Sequence, residues 1–150
     1  MRAQFFLIPA AVVACAPAQA KVFMSVDQAQ RAMFPHGSFR ELPVPARTGA
    51  FERSWKVSTG GWFIVDQVEG KGDLITYAVA LDADGTVQGL EILECAADYD
   101  TITMPRWRHH FLGRQAWDAL RDIKMISGST LSSRHITEGV RRILSTRRPA

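Results

Sequence analysis

The residues best suited to chemistry lie in one stretch near the C-terminus, Asp122-Ile-Lys-Met-Ile-Ser-Gly-Ser-Thr-Leu-Ser-Ser133. Its serine and threonine hydroxyls can donate hydrogen bonds, and Gly128 allows the backbone to approach a ligand closely. The stretch directly precedes a predicted helix, whose first N–H groups are unpaired and carry partial positive charge. This combination favours binding of a phosphate group. The same residue types cap ordinary helices, so spacing alone leaves both a phosphate site and a simple helix cap open.

Three other sets of polar residues favour ordinary structure over a site. His109 and His110 are adjacent, so on a helix their side chains diverge by about 100° and cannot hold one metal ion together. The serines of the stretch follow no G-x-S-x-G turn, which disfavours a hydrolase. The acidic residues around one predicted strand match no metal-binding loop and indicate a solvated face; they are Glu91, Glu94, Asp98 and Asp100.

Three single residues have more specific interpretations. Trp107 could lie against a flat ligand, or it could pack with Phe111 in the core, which its helical spacing favours. His135 falls at the start of the closing helix, where it is expected to be solvated or close to the ligand. Cys95 follows apolar residues and is predicted to be a buried small hydrophobic side chain.

The elements that must position the stretch begin with strands. Residues 62–65, 74–81 and 87–93 are rich in β-branched and aromatic residues and are separated by turn-forming segments, which predicts an antiparallel meander over residues 62–95. Before the meander, Ser25 and Gln28 have capping-box spacing at the start of a short helix that Pro35 ends. Residues 38–44 predict an edge strand or an extended arm.

Helical patterns follow the strands. A helix is predicted from Pro105 to Gly113, and a short amphipathic segment is predicted from Trp117 through Leu120 to Ile123. A closing helix is indicated by apolar residues at helical spacing, namely Ile136, Val140, Ile143 and Leu144. The order of elements predicts one α+β domain, an antiparallel β-meander packed with helices and completed by a C-terminal helix.

The N-terminal segment predicts export. Arg2 is the only charged residue before Lys21, an apolar run spans residues 5–13, and Ala18-Gln19-Ala20 resembles a signal peptidase site. Residues 1–20 are therefore predicted to be a signal peptide. Alternatively, Val12-Val13-Ala14-Cys15 resembles a lipoprotein signal, in which residues 1–14 are removed and Cys15 is lipidated. We predict an N-terminal helix and extended arm in residues 21–60, the main domain in residues 61–145 and a basic tail in residues 146–150.

Composition and charge exclude few functions but disfavour one. The chain of 150 residues is 47% hydrophobic and 22% charged, with a net charge of +3 that falls to +2 if Arg2 is removed. This small excess differs from the dense basic surface of nucleic-acid-binding proteins, so no nucleic-acid partner is expected. No glycine-rich dinucleotide fingerprint supports a stand-alone NAD(P)H-dependent reductase.

The octet Ile126-Ser-Gly-Ser-Thr-Leu-Ser-Ser133 resembles the Ser-Gly-Ala-Thr-x-(Thr/Ser)-Ser signature of the FMN-binding domain family. That family includes the flavin subunits of sodium-pumping NADH:quinone reductases and Rnf complexes, and many small exported proteins. The resemblance extends over residues 62–144, where the strands, the Pro105-Arg106-Trp107-Arg108 segment and the closing helix follow in the family's order.

The resemblance implies a cofactor, a site and partners. FMN is expected as the cofactor, joined by a phosphoester bond to Thr130, with Trp107 beside the flavin and the phosphate site shaped by Ser127, Gly128, Ser129 and Ser132. A separate flavin transferase installs the group from FAD in this family, and a membrane reductase or redox complex exchanges electrons with it. Ser129 replaces the family's usual alanine. Lys124 stands six residues before Thr130, where members of the family usually have an aspartate. Asp122 lies two residues before that position.

Two hypotheses from different classes follow. The first is an FMN-binding electron-transfer protein in the bacterial periplasm, soluble or held at the outer face of the membrane through lipidated Cys15. FMN that is non-covalent or attached with altered efficiency is a variant of this hypothesis, because of Lys124. The second is a flavin-free accessory or interaction module of a membrane redox complex, which keeps the fold without the cofactor.

Overall fold

The computed structural model describes residues 21–44, 52–96 and 102–146. Six antiparallel strands form one sheet in the order β1-β6-β5-β4-β3-β2. The strands are β1 (Lys21–Val22), β2 (Phe39–Glu41), β3 (Glu52–Val57), β4 (Gly61–Glu69), β5 (Leu74–Leu81) and β6 (Val87–Cys95). The helices are α1 (Val26–Met33), α2 (Pro105–Arg108), which continues into a 3-10 turn (His109–Phe111), and α3 (Thr130–Thr146). The predicted α+β class is confirmed.

The predicted meander is the centre of this sheet. Strands β4, β5 and β6 are consecutive in the chain and pair antiparallel, with Trp62 opposite Leu81 and Tyr77 opposite Ile92. The predicted edge strand is also present, since β2 pairs with β3 at the edge of the sheet. Strand β3 was not predicted, because its sequence Glu-Arg-Ser-Trp-Lys-Val is mostly polar. It forms a strand because it pairs with β4 along its whole length.

Each face of the sheet buries its own apolar cluster. One cluster includes Ile64, Tyr77 and Val79 from the strands and packs against the apolar face of α3. The other includes Phe63, Val65 and Ala80 and packs towards α1. Neighbouring strand residues point to opposite faces of a sheet, so the two covered faces explain why the central strands are almost continuously apolar. Cys95 is fully buried, as predicted.

The helices follow the sequence prediction with two differences. Ser25 and Gln28 form the predicted capping box, with hydrogen bonds of 3.1 Å and 2.8 Å between their side chains and the backbone. The predicted helix from Pro105 to Gly113 is shorter, because it tightens into a 3-10 turn at His109.

The prediction of a short amphipathic helical segment from Trp117 to Ile123 is wrong. The segment forms turns, Trp117 is exposed, and Leu120 has a φ of +55° that no helix contains. The Asp118 carboxylate accepts a 2.8 Å hydrogen bond from the Leu120 N–H. This local hydrogen bond competes with the backbone hydrogen bonds of a helix. Leu120 is therefore part of a turn, and its side chain is buried in the core.

Several predictions fall on residues that the structure does not describe. They are the signal segment 1–20 with Cys15, the acidic residues Asp98 and Asp100, and residues 147–150 of the predicted basic tail. Within the described part of the chain, no helix has the length and apolar character needed to cross a bilayer.

Candidate functional site

The serine-rich stretch forms a tight turn that leads directly into α3. Gly128 has a φ of +83°, a conformation that favours glycine, and beyond its two chain neighbours no atom lies within 4 Å of where its Cβ would be. The Ser129 N–H donates to the Ile126 carbonyl at 3.0 Å and closes the turn. The turn therefore presents an open backbone at the N-terminus of a 17-residue helix.

Thr130 is the first residue of α3, and its side chain is exposed. Its hydroxyl donates a 3.3 Å hydrogen bond to the Ile126 carbonyl. Because the hydroxyl is at the surface and next to helix N–H groups that lack intrahelical acceptors, an anionic group could be held beside it.

The other predicted site residues divide by exposure. Ser127 and Gly128 are exposed like Thr130, whereas Ser129 is 8% exposed and Ser132 is 1% exposed. The exposed side of the turn therefore consists of Ser127, Gly128 and Thr130. The assignment of all these residues to a phosphate site stays a prediction.

Ser133 was not among the predicted site residues, yet it holds the turn in place. Its fully buried hydroxyl donates to the Ser129 carbonyl at 2.8 Å and accepts a 3.2 Å hydrogen bond from the Ile126 N–H. Ser133 is the fourth residue of α3, and neither its type nor its spacing indicated that it would bridge both ends of the loop.

A cavity of about 220 Å³ lies beside this turn. Its apolar lining comes from Met104, Trp107, Met125 and Ile126, and its basic lining from Arg106, His110 and Lys124. Ile126 belongs to both features, since it lines the cavity and its carbonyl accepts the Thr130 hydrogen bond. Ile126 therefore connects the cavity lining to the Thr130 hydroxyl, although Thr130 itself does not line the cavity.

Trp107 packs in the core and also lines the cavity, while its contact with a flat ligand stays a prediction. It is 7% exposed and packs edge-on against Phe111 with ring centroids 5.1 Å apart, as a core residue does. It also lines the cavity, and its indole N–H donates a 3.0 Å hydrogen bond to the Lys124 carbonyl. This bond fixes the backbone of the Lys124 segment against the cavity wall.

Two arginines anchor the segments that form the cavity. Arg108 donates to the Thr103 and Leu90 carbonyls and pairs with the Glu91 carboxylate at 2.8 Å, which holds α2 on strand β6. Arg114 binds both carboxylate oxygens of Asp122 at 2.7 Å and pairs with Asp118 at 3.1 Å. The Arg114 contacts lower the pKa of Asp122 and, chiefly through its hydrogen bonds to Asp122, raise the pKa of Arg114. The Asp122 carboxylate is thus held by Arg114 within the loop of residues 114–122.

Among the described residues, no group of three or more histidine, cysteine, aspartate or glutamate side chains is arranged to hold a metal ion. His109 and His110 are exposed. His135 lies in the second turn of α3 instead of the first, because the helix begins at Thr130. It is half-buried, and its Nδ1 lies 2.5 Å from the Glu69 carbonyl oxygen, which joins α3 to the end of β4.

A buried polar cluster under α3 was missed entirely by the sequence analysis. The Tyr77 hydroxyl donates a 2.7 Å hydrogen bond to the Asp66 carboxylate, which also pairs with Arg142 of α3. Asp66 and Tyr77 are both fully buried. Burial raises the pKa of Asp66 although Tyr77 and Arg142 oppose the shift, and burial also raises the pKa of Tyr77. The one sequence feature that could have indicated this cluster is the position of Asp66, a charged residue within an otherwise apolar part of strand β4.

Comparison with protein families gives one match, to the FMN-binding domain, over residues 70–145. The match covers just over half of the chain, from the turn that follows β4 to the last turn of α3, and includes the cavity, the serine-rich turn and Thr130. Comparison with curated proteins gave no match.

Proposed function

The chain belongs to the FMN-binding domain family, and from this premise we propose that it is an electron-transfer protein whose FMN is esterified to Thr130. FMN is the cofactor of this domain. When bound, it exchanges one or two electrons, and the protein supplies its binding, orientation and electrostatic surroundings.

The residues around Thr130 fit FMN. The cavity offers an apolar wall of aromatic and aliphatic side chains for part of a flat ring system, and basic side chains for an anionic tail. Its volume of about 220 Å³ is below the roughly 300–1,000 Å³ of typical ligand pockets, so part of the cofactor would extend towards solvent. An exposed flavin edge is suited to electron exchange with another protein.

One observation carries the proposed attachment: the exposed Thr130 hydroxyl is hydrogen-bonded to a residue that lines the cavity. In the proposed reaction this oxygen loses its proton and forms a bond to phosphorus, while the pyrophosphate bond of FAD breaks and AMP leaves. A flavin transferase catalyses the step. The glycine-containing turn gives such an enzyme access, and the N-terminus of α3 stabilises the remaining phosphate charge by roughly 0.3–1 kcal/mol.

The attachment is tested by mass spectrometry of protein produced with a flavin transferase. We expect a yellow protein whose mass is increased by one esterified FMN, and no gain for Thr130→Ala. Ser145→Ala is the matched control, since it removes an exposed hydroxyl near the other end of α3, about 22 Å along the helix from Thr130, and should retain the added mass. An unchanged mass for the wild type would refute covalent attachment.

The flavin-free alternative makes a different prediction. A protein that stays colourless with the transferase and binds no free FMN would support an accessory module of a membrane redox complex. Non-covalent FMN would instead give a yellow protein that loses its colour on denaturation, with no gain in mass.

We further propose that residues 1–20 direct export to the periplasm, where a membrane reductase supplies or accepts electrons. The supporting pattern is the apolar run followed by Ala18-Gln19-Ala20. Cell fractionation and the N-terminal sequence of the mature protein test this proposal. A mature chain that begins at Lys21 indicates a soluble protein, whereas one that begins at a lipidated Cys15 indicates a membrane anchor that Cys15→Ala would abolish.

A further inference from the structure

The Trp117 loop, residues 112–124, follows the 3-10 turn and carries the most exposed large hydrophobic side chain in the described part of the chain. Trp117 is 79% exposed, and Leu112 at the start of the loop is 42% exposed. Half of the eight exposed large hydrophobic side chains that the structure describes lie in one segment, residues 104–125. Such a concentration of exposed apolar side chains is typical of a surface that binds a partner or a membrane.

The Trp117 loop is anchored at its centre by Arg114. The Arg114 Nη1 contacts the carboxylates of Asp118 at 3.1 Å and of Asp122 at 2.7 Å. The backbone of Arg114 is fixed to strand β6, because the Val87 N–H donates a 2.9 Å hydrogen bond to its carbonyl. Trp117 is therefore presented by an ordered loop, so that little conformational entropy is lost when its side chain binds.

The charge of the same segment is one-sided. Residues 104–125 contain five arginine or lysine residues but only two acidic residues, whose carboxylates are both held by Arg114. Arg121 and Lys124 are exposed, and neither forms a salt bridge with any residue of the ranges 21–44, 52–96 and 102–146. The exposed ring of Trp117 is thus close in the chain to two cations without a counter-ion, which complements a negatively charged surface.

The Trp117 loop and the first strand lie along the same edge of the sheet. Strand β1 pairs with one end of β6, and at the other end Val87 exchanges backbone hydrogen bonds with Gly113 and Arg114. If Cys15 is lipidated, only residues 16–20 separate the lipid from β1, and five residues extend at most about 18 Å. A lipid at that position would hold this edge of the sheet, and with it the loop, next to a bilayer.

We propose that the Trp117 loop binds the surface of an anionic phospholipid bilayer, with the Trp117 ring in the interfacial layer and Arg121 and Lys124 against lipid phosphates. Tryptophan is enriched at membrane interfaces because its ring is apolar while its N–H is polar. Lysine and arginine can keep their charged ends at the headgroups while their apolar stems lie deeper. The proposal concerns the orientation of the domain at a membrane and does not depend on flavin binding.

The test is co-sedimentation of the chain from Lys21 to Ala150 with phospholipid vesicles. Leaving out residues 1–20 removes an apolar run that would itself bind lipid, and every described strand and helix lies after it. We expect binding to vesicles of phosphatidylcholine mixed with phosphatidylglycerol and none to phosphatidylcholine alone. Raising the salt concentration should weaken the binding, because salt screens exposed charges.

Three substitutions measure the contributions of the loop. Trp117→Ala should weaken binding at least about tenfold, since even partial transfer of its ring out of water is lost. Arg121→Gln and Lys124→Gln should each weaken binding about fivefold, the effect of one cation near an anionic surface.

Fluorescence quenching reports directly whether the Trp117 ring enters the bilayer. Brominated acyl chains quench tryptophans that insert among them. Of the four tryptophans, Trp55 and Trp107 are buried and Trp62 is half-buried, so the quenching should come from Trp117. Trp117→Phe should therefore retain most of the binding and lose most of the quenching.

Two control variants change exposed side chains outside the loop. Leu74→Ala removes an apolar side chain that is 53% exposed at the start of β5, and Arg141→Gln removes a cation from the exposed side of α3. Both should bind the vesicles like the wild type. Thermal unfolding shows whether each variant is folded, which we expect for Trp117→Ala because the side chain is largely exposed.

Several outcomes would overturn the proposal. A wild type that does not bind phosphatidylglycerol vesicles would assign the exposed ring to a protein partner instead. Binding that is unchanged in Trp117→Ala would show that the ring is not involved, and an equal loss in Arg141→Gln would show that overall charge is responsible. Because none of these measurements uses FMN, they leave the attachment to Thr130 to be decided by the mass measurement.

Discussion

The contact between Gly139 and Tyr77 predicts that a substitution which normally stabilises a helix will destabilise this protein. Gly139 lies in the middle of α3, where alanine would usually be more stable by about 0.8–1.0 kcal/mol. A Cβ at Gly139 would lie 2.2 Å from the Tyr77 hydroxyl oxygen and 3.2 Å from its Cζ. The hydroxyl cannot move freely, because it is buried and donates to Asp66 at 2.7 Å.

The size of the effect follows from two costs and one smaller, opposing gain. Overpacking a core typically costs about 1–3 kcal/mol. Displacing the hydroxyl also breaks a hydrogen bond to a charged group, which costs about 1.5–3 kcal/mol. After the gain in helix propensity is subtracted, Gly139→Ala should lower the free energy of unfolding by about 2–5 kcal/mol.

The assay is a double-mutant cycle measured by urea denaturation. Tyr77→Phe removes the atom that clashes, so Gly139→Ala should cost at least about 1.5 kcal/mol less in that background than in the wild type. Glu138→Ala is the control, since it changes an exposed neighbour on the same helix and should shift stability by no more than about 0.5 kcal/mol. Equal costs of Gly139→Ala in both backgrounds, or stabilisation of the wild type, would refute the reasoning.

Three further predictions concern other contacts. Because burial raises the pKa of Asp66, the folded protein holds this proton more tightly than the unfolded chain does. Its contribution to stability is therefore present below the unfolded pKa of about 4 and lost as pH rises through the raised pKa, so urea denaturation should show Asp66→Asn gaining on the wild type as pH rises above about 4; a constant difference would contradict this. Trp107→Phe removes the hydrogen bond to the Lys124 carbonyl and should cost about 1–2 kcal/mol in thermal unfolding, and no loss would show that the bond is unimportant. Ser25→Ala should cost about 0.5–2 kcal/mol by loss of the α1 cap, whereas Ser25→Asp, which can still cap, should retain most of the stability; equal losses would argue against the cap.

The sequence by itself determined the features that depend on local patterns. Alternating and β-branched residues predicted the β4–β5–β6 meander, the Ser25 capping box predicted α1, and apolar residues at helical spacing predicted α3. The serine-rich octet predicted the family that the comparison shows. Each of these signals lies within a short segment, where neighbouring residues determine the backbone conformation.

Only the tertiary structure decided which residues meet across distant segments. Strand β3 exists because β4 pairs with it, and Leu120 is buried from a turn instead of the predicted helix. The Asp66–Tyr77–Arg142 cluster joins residues up to 76 positions apart, a partnership that no local pattern encodes. The serine-rich turn was predicted from its residues. The cavity beside it could not be, because its lining comes from two segments, residues 104–110 and residues 124–126, that only the tertiary structure brings together.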